Sequence, residues 1–393
     1  MMEENIDRNI TYGVAEDLTA KSGSELTDEM IETFVEETRK WIGKEIPLDA
    51  EDKFRARQPV ESSEIRRYAL THRNPNPLYV DPDYAKTAFW GGIVAPYNFM
   101  HTCYSTEVTG TVPVQFPGLL QAQHWLQSGI GLEFFVPIRP GDLVIPKVVF
   151  NDIEVKTGAF IGKMFMNSTK TTVKNQKGEV IGTHKHYDML YSVAKAKEKK
   201  TYNFPPEQGY PPLKHQDLGR WTIKRQGATP RYYEDVNVGD ELTPIHYNMT
   251  VMDIVGTMAG IRCGLEYPQE RGGLGCHWHY HPITCFQVRG MPLPFDSGQS
   301  RYGFAARLFS DWAGDNSWVW KLDIQLRRPC FAGDSIVVKG KVAAKNIING
   351  RHCLDIAVTY ENQRNDTIAK GTVVGILPSK TGSAPILPEQ PKA

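Results

Sequence analysis

The sequence carries no net charge: 45 Lys and Arg balance 45 Asp and Glu over 393 residues. It therefore lacks the basic surplus that nucleic acid or an anionic membrane surface requires, leaving room only for a local patch against an anionic ligand. No stretch approaches the roughly 18 consecutive apolar residues of a membrane span. The first residues, MMEENIDRNI, lack the basic-then-apolar layout of a secretory signal. The six cysteines, at 103, 263, 276, 285, 330 and 353, form no CxxC pair. In a chain of this length they are expected to be reduced, mostly buried thiols of a cytoplasmic protein. What is present is ordinary for a globular protein, 40% hydrophobic and 23% charged, and the length favours two domains over one core.

One pattern occurs twice. LEFFVPIRPGDLV begins at Leu132, and LDIQLRRPCFAGDSIVVKGKV at Leu322. Pro137 and Pro329 are 192 positions apart, as are Gly141 and Gly333. Upstream, NPLYVDPDYAKTAFWGGIVAPYN pairs with GCHWHYHPITCFQVRGMPLPFDSG. Turns reuse Pro, Gly and Asp, so each echo alone is weak; their common order makes a tandem duplication the better reading. The units are expected at 27–195 and 230–380. Between them, 196–229 is Pro-rich and reads as linker, with the charged run AKAKEKK (194–200) as a solvated helix end. Residues 1–26 form an extension and 381–393 a tail.

Within each unit a helix precedes an antiparallel meander. Thr27 is expected to start a helix and Gly43 to stop it, with Met30, Ile31, Phe34, Val35, Trp41 and Ile42 at helical spacing. A buried helix is predicted over roughly 97–109, with its counterpart at 301–312. The β-rich segments after each alternate apolar and polar residues, and 175–178 and 348–350 have hairpin-turn composition. The class is α+β, a long helix on an antiparallel sheet in each copy.

The NPLY-x-DP loop, the Gly-rich turn into a buried helix and the P-x-x-x-GD meander resemble the MaoC-like hydratase/dehydratase branch of the hotdog fold. The tandem order is similar to double-hotdog enoyl-CoA hydratases and to the dehydratase region of fatty acid synthase. PFDSGQSRYGFAARLFSDWAGD in the second unit resembles a D-x-G-x-x-R…DW-x-GD run of acyl dehydratases. The resemblance implies two tandem hotdog domains and an acyl-CoA thioester substrate. It implies water added or removed across the 2,3 bond, with no metal or redox cofactor. Such chemistry needs a base for the α-proton, an acid for the departing oxygen, and fixed N–H donors for the enolate-like carbonyl.

Active members of this family carry D-x-N-P-L-H. The first unit has Asn74 and Tyr79 at those positions, and Ala95-Pro96 where the family has His-Gly. An amide does not titrate, a phenol ionises near pH ~10, and Pro96 has no N–H. The first copy is therefore expected to be catalytically silent, with His72 as a turn histidine. In the second unit His279 occupies the place of Tyr79 and is expected to handle the proton. Asp296 is the candidate carboxylate, with Ser297, Gly298 and Arg301 for the oxyanion and substrate. Leu274 stands where the family has Asp, so Glu266, Glu270, Asp311 and Asp315 are further candidates. Blander readings stand beside these: Asp296 as a helix N-cap, Asp315 as a turn residue, Arg301 as a solvated helix arginine. His277, His279 and His281 alternate as on one face of a strand. Three imidazoles also suit zinc, but nothing else in the chain offers ligand spacing. The expected partners are the acyl-CoA thioester and a second copy or sister subunit, not nucleic acid or membrane. The rival functions are a non-catalytic acyl-CoA-binding or scaffold subunit and a thioesterase, for which the sequence names no nucleophile.

Overall fold

A computed structural model describes residues 28–48, 53, 55–104, 123–158, 162–199, 202, 229–260, 279–281, 285–286, 289–382 and 384–391. Helix α1 (Asp28–Arg39) ends in a turn closed by Gly43, whose φ of 80° suits a residue without Cβ and whose N–H reaches the Phe150 carbonyl at 2.9 Å. Its Ile31, Phe34 and Val35 bury against Val148, Phe150 and Phe165, as the 3.6-residue spacing predicts.

The strands are β1 (Glu45–Ile46), β2 (Gln123–Phe134), β3 (Ile145–Gly158), β4 (Gly162–Lys174) and β5 (Val180–Ser192), then β6 (Ile245–Asn248), β7 (Trp318–Leu326), β8 (Ser335–Ile348), β9 (Arg351–Asn362) and β10 (Thr367–Ile376). They form one antiparallel sheet in the order β1-β3-β4-β5-β2-β7-β10-β9-β8-β6. Each half is the other read backwards: β1 answers β6, β2 answers β7, and so on outward. The halves join where β2 pairs with β7, Ile130 opposite Ile324 and Leu132 opposite Leu322.

The duplication is visible in single hydrogen bonds. Arg139 N–H donates to Asp142 Oδ2 at 2.8 Å, and 192 positions on Phe331 N–H donates to Asp334 Oδ2 at 2.9 Å. Asn175 Oδ1 accepts from the N–H groups of Lys177 and Glu179, as Asn362 Oδ1 does from Arg364 and Asp366. The Gly-Asp and Asn turns recur because each side chain satisfies the same orphan backbone donors.

Helix α6 (Gly298–Ala313) lies across the second half-sheet, and both its faces are buried. The sheet covers one face; the first unit's loop and helix α2 (Ser62–Thr71) cover the other. The approach is close. A Cβ on Gly375 would stand 2.0 Å from the Phe309 ring. One continuous core results, with Tyr68, Phe99 and Leu132 of the first unit packed with Phe304, Phe309 and Ile356 of the second. The two units also meet through Arg73, bonded to Asp253 at 2.7 Å at the head of α5 (Val251–Gly260).

Two expectations change and one holds. Instead of an α-helix over 97–109, residues Tyr97–Thr102 form a 3-10 helix entered through Pro96, and 105–109 lie outside the described residues. Residues 194–199 of AKAKEKK lie in a helix, α4 (Val193–Lys199), in keeping with the helix-end reading. His279 and Tyr280 lie in a turn, not a strand. Pro282, two positions on, has no N–H to give a ladder. His277 is outside the described residues.

Candidate functional site

The second-unit site is built around the entry to α6. Phe295 N–H donates to the His279 carbonyl at 3.0 Å, and His279 Nδ1 lies 3.0 Å from the Phe295 carbonyl. The two rings sit 4.7 Å apart. This two-way tie holds the imidazole three residues before Gly298. A carbonyl can only accept, so Nδ1 carries the proton and Nε2 the lone pair of the neutral ring.

Asp296 and Arg301 are brought together, but by each other. Arg301 Nη2 and Nε donate to Asp296 Oδ1 and Oδ2 at 2.5 and 2.8 Å, and Nη1 reaches the carbonyls of Arg328 and Ile368. Asp296 is 1% exposed and Arg301 2%. Arg301 is thus no solvated helix arginine; the buried Asp296 beside it raises its pKa against the opposing effect of burial. Asp296 is not the N-cap either. Ser297 holds that position and makes no side-chain capping bond. The Asp296 N–H is committed to the Cys330 carbonyl. Gly298 is needed for space: a Cβ there would stand 2.4 Å from Gln127 Oε1 and 2.6 Å from Leu326 Cδ1.

The other carboxylate candidates separate. Asp311 pairs with Arg307 at 2.9 Å. Asp315 accepts from Asn76 Nδ2 at 2.9 Å and from the Tyr84 hydroxyl at 2.5 Å, so it ties the end of α6 to the first-unit loop. Leu274, Glu266 and Glu270 lie outside the described residues.

The first-unit loop is rigid for local reasons. Asn74 Oδ1 accepts from Asn76 N–H, Asn76 Oδ1 from Leu78 N–H, and Asp81 Oδ1 caps α3 (Pro82–Thr87) through Asp83 and Tyr84 N–H. Between this loop and α6 lie two small cavities of about 30 and 20 Å3 that share Tyr79, Pro96, Tyr97 and Ser310. Burial pushes the Tyr79 hydroxyl pKa well up, so it stays protonated. His72 lines the smaller cavity. Its ring stacks on Tyr68 at 4.0 Å, its Nδ1 is 2.9 Å from the Tyr68 carbonyl, and its buried Nε2 has no hydrogen-bond partner among the described residues. Burial lowers its pKa to about 4. His72 is therefore a core residue facing a cavity, more than a turn histidine.

Residues 50–184 match the model of a family described as the FAS1-like dehydratase domain region. No curated protein matches the chain. Several solved structures align over most of its length, three of them as follows. One named MaoC-like dehydratase has a TM-score of 0.61 at 18% identity, covering 87% of this chain and 100% of its own. A putative MaoC domain protein dehydratase from Chloroflexus aurantiacus J-10-fl gives 0.58 at 14% identity, over 86% and 96%. A MaoC-like dehydratase from Phytophthora capsici gives 0.51 at 12% identity, over 82% and 94%. The chain has the MaoC-like double hotdog fold.

The seam of the double hotdog carries residues that sequence reasoning missed. His184, His186 and Asp188 alternate on the buried face of β5. His186 Nε2 lies 2.8 Å from Asp188 Oδ1, and His186 Nδ1 lies 3.1 Å from Gln127 Nε2. The His101 and His184 rings are 4.3 Å apart, and burial pushes both pKa values down, that of His101 to about 3. The signal was available: H-x-H-x-D in a predicted strand puts three titratable groups on one face.

Proposed function

We propose that this double hotdog protein is a hydro-lyase acting on an acyl thioester, interconverting a 2-enoyl-CoA and a 3-hydroxyacyl-CoA, with the second unit working and the first silent. The observation that carries this reading is the tie between His279 and Phe295 at the entry to α6. It fixes an imidazole against Phe295, three residues before a helix start whose N–H groups and positive end suit a carbonyl gaining negative charge. His279 takes the α-proton or returns it to the leaving oxygen. Ser297 and Gly298 offer backbone donors to the thioester oxygen. Asp296 and Arg301 hold this turn in place. The reaction needs no cofactor, and the protein works in the cytoplasm as a homodimer or with a sister subunit.

The experiment is hydration of crotonyl-CoA and longer or branched enoyl-CoA esters by the purified chain. His279→Ala should cut turnover by about a hundredfold or more, the scale of a lost acid/base group, with thermal stability retained, while Tyr79→Phe leaves turnover intact. Equal activity of His279→Ala and wild type would overturn the assignment. A second reading is an acyl-CoA-binding subunit without turnover. It is favoured by the absence of Asp from both family positions, Asn74 in the first loop and Leu274 in the second. Binding of every ester without hydration of any would establish it.

A further inference from the structure

Two buried groups of the first unit, Asp188 and His186, run through the half-buried Gln127 to the helix start of the second. Asp188, at 1% exposure, meets His186, at 2%. His186 meets Gln127, and Gln127 Oε1 points to where a Gly298 Cβ would stand. We infer that Asp188 and His186 act as positioning residues for the second-unit site by fixing which end of the Gln127 amide faces Gly298. The inference rests on the hydro-lyase reading for its kinetic consequence, but not for its structural one.

The logic is one of donors and acceptors. An ionised carboxylate can only accept, so His186 Nε2 carries the proton and Nδ1 of the neutral ring is an acceptor. Gln127 must then turn its NH2 toward His186 and its carbonyl oxygen toward the helix start. An oxygen there complements the positive end of α6. The β-bulge between Gln127 and Gly129 aims this side chain off the regular pleat. The cost argues against a packing role: among the described residues Asp188 Oδ2 is buried without a hydrogen-bond partner, and an apolar pair would fill this space at less expense. Of the other titratable groups around His186, His101 and His184 are held neutral by burial, and Tyr302 and Tyr104 face the same seam as phenols.

Asp188→Asn reverses the chain. The Asn amide can donate to Nε2, which moves the ring proton to Nδ1, turns the Gln127 oxygen toward His186, and aims its NH2 at the positive end of α6. That contact repels and displaces the turn holding Gly298. Long-range 1H–15N spectra of the wild-type protein should show His186 protonated on Nε2, a measurement that needs no variant. In Asp188→Asn the proton should move to Nδ1 and the Gly298 amide resonance should shift. With crotonyl-CoA, kcat should fall about tenfold, the scale of one inverted hydrogen bond, with KM little changed. Asp188→Asn/Gln127→Met, which removes the amide, should regain most of the loss. An Nδ1–H tautomer in the wild type, a stationary Gly298 resonance in Asp188→Asn, or no recovery in the double variant would overturn the inference. Absence of hydration by the wild type would count against the hydro-lyase reading alone, because the two spectroscopic results decide the positioning independently.

Discussion

Replacing Asp296 by Asn separates a catalytic carboxylate from a structural one. The side chain keeps its shape, but Arg301 loses its counter-charge while remaining 2% exposed. The guanidinium gives two of its donors to Asp296 and a third to the carbonyls of Arg328 and Ile368. Those carbonyls cannot neutralise a cation. Removing one partner of such a pair costs about 3–5 kcal/mol, most of it the desolvation of the charge left behind. Asp296→Asn should therefore lower the unfolding free energy by about that amount in urea titrations, with an unchanged slope. Arg301→Met should cost a similar amount, and Asp296→Leu/Arg301→Met less than the sum, because the double variant leaves no orphan charge. Activity should fall only as far as the helix start is disturbed. The opposite pattern would refute the reasoning: stability within about 0.5 kcal/mol of wild type, the usual range of a featureless surface change, together with lost turnover. Asp296 would then be doing chemistry.

Two further perturbations test the buried seam. His72 has its pKa lowered to about 4 by burial, against about 6.5 unfolded. The unfolded chain then binds the extra proton, so the stability this group supports is full above pH ~6.5 and is lost as pH falls toward ~4, amounting to about 2 kcal/mol at pH ~5. His72→Gln should flatten the pH dependence of the unfolding free energy over that window, and an unchanged slope would refute the assignment. Gly375→Ala puts a methyl 2.0 Å from the Phe309 ring and should destabilise by at least about 1–3 kcal/mol, the cost of overpacking; Gly375→Ala/Phe309→Leu should recover part of it in the same denaturation assay.

The sequence by itself determined the parts whose causes are local. Gly43 and Gly178 stand where φ is positive, Asp142 and Asp334 where a tight turn leaves an N–H unsatisfied, and the alternating runs where strands form. Those signals act within a few residues, so both copies show them and the duplication could be read directly. His279 was placed by correspondence with Tyr79, and its neighbourhood to the helix start follows from the short path through Phe295. The tertiary structure decided what distant residues become to one another. Asp296 and Arg301 are five positions apart whether they face water or each other, and only the covering of α6 on both faces makes them a buried pair. Asp188, His186 and Gln127 gain meaning only because β2 pairs with β7 and brings a first-unit amide against a second-unit helix. Burial and partner choice depend on what the chain folds back against, and no local pattern encodes that.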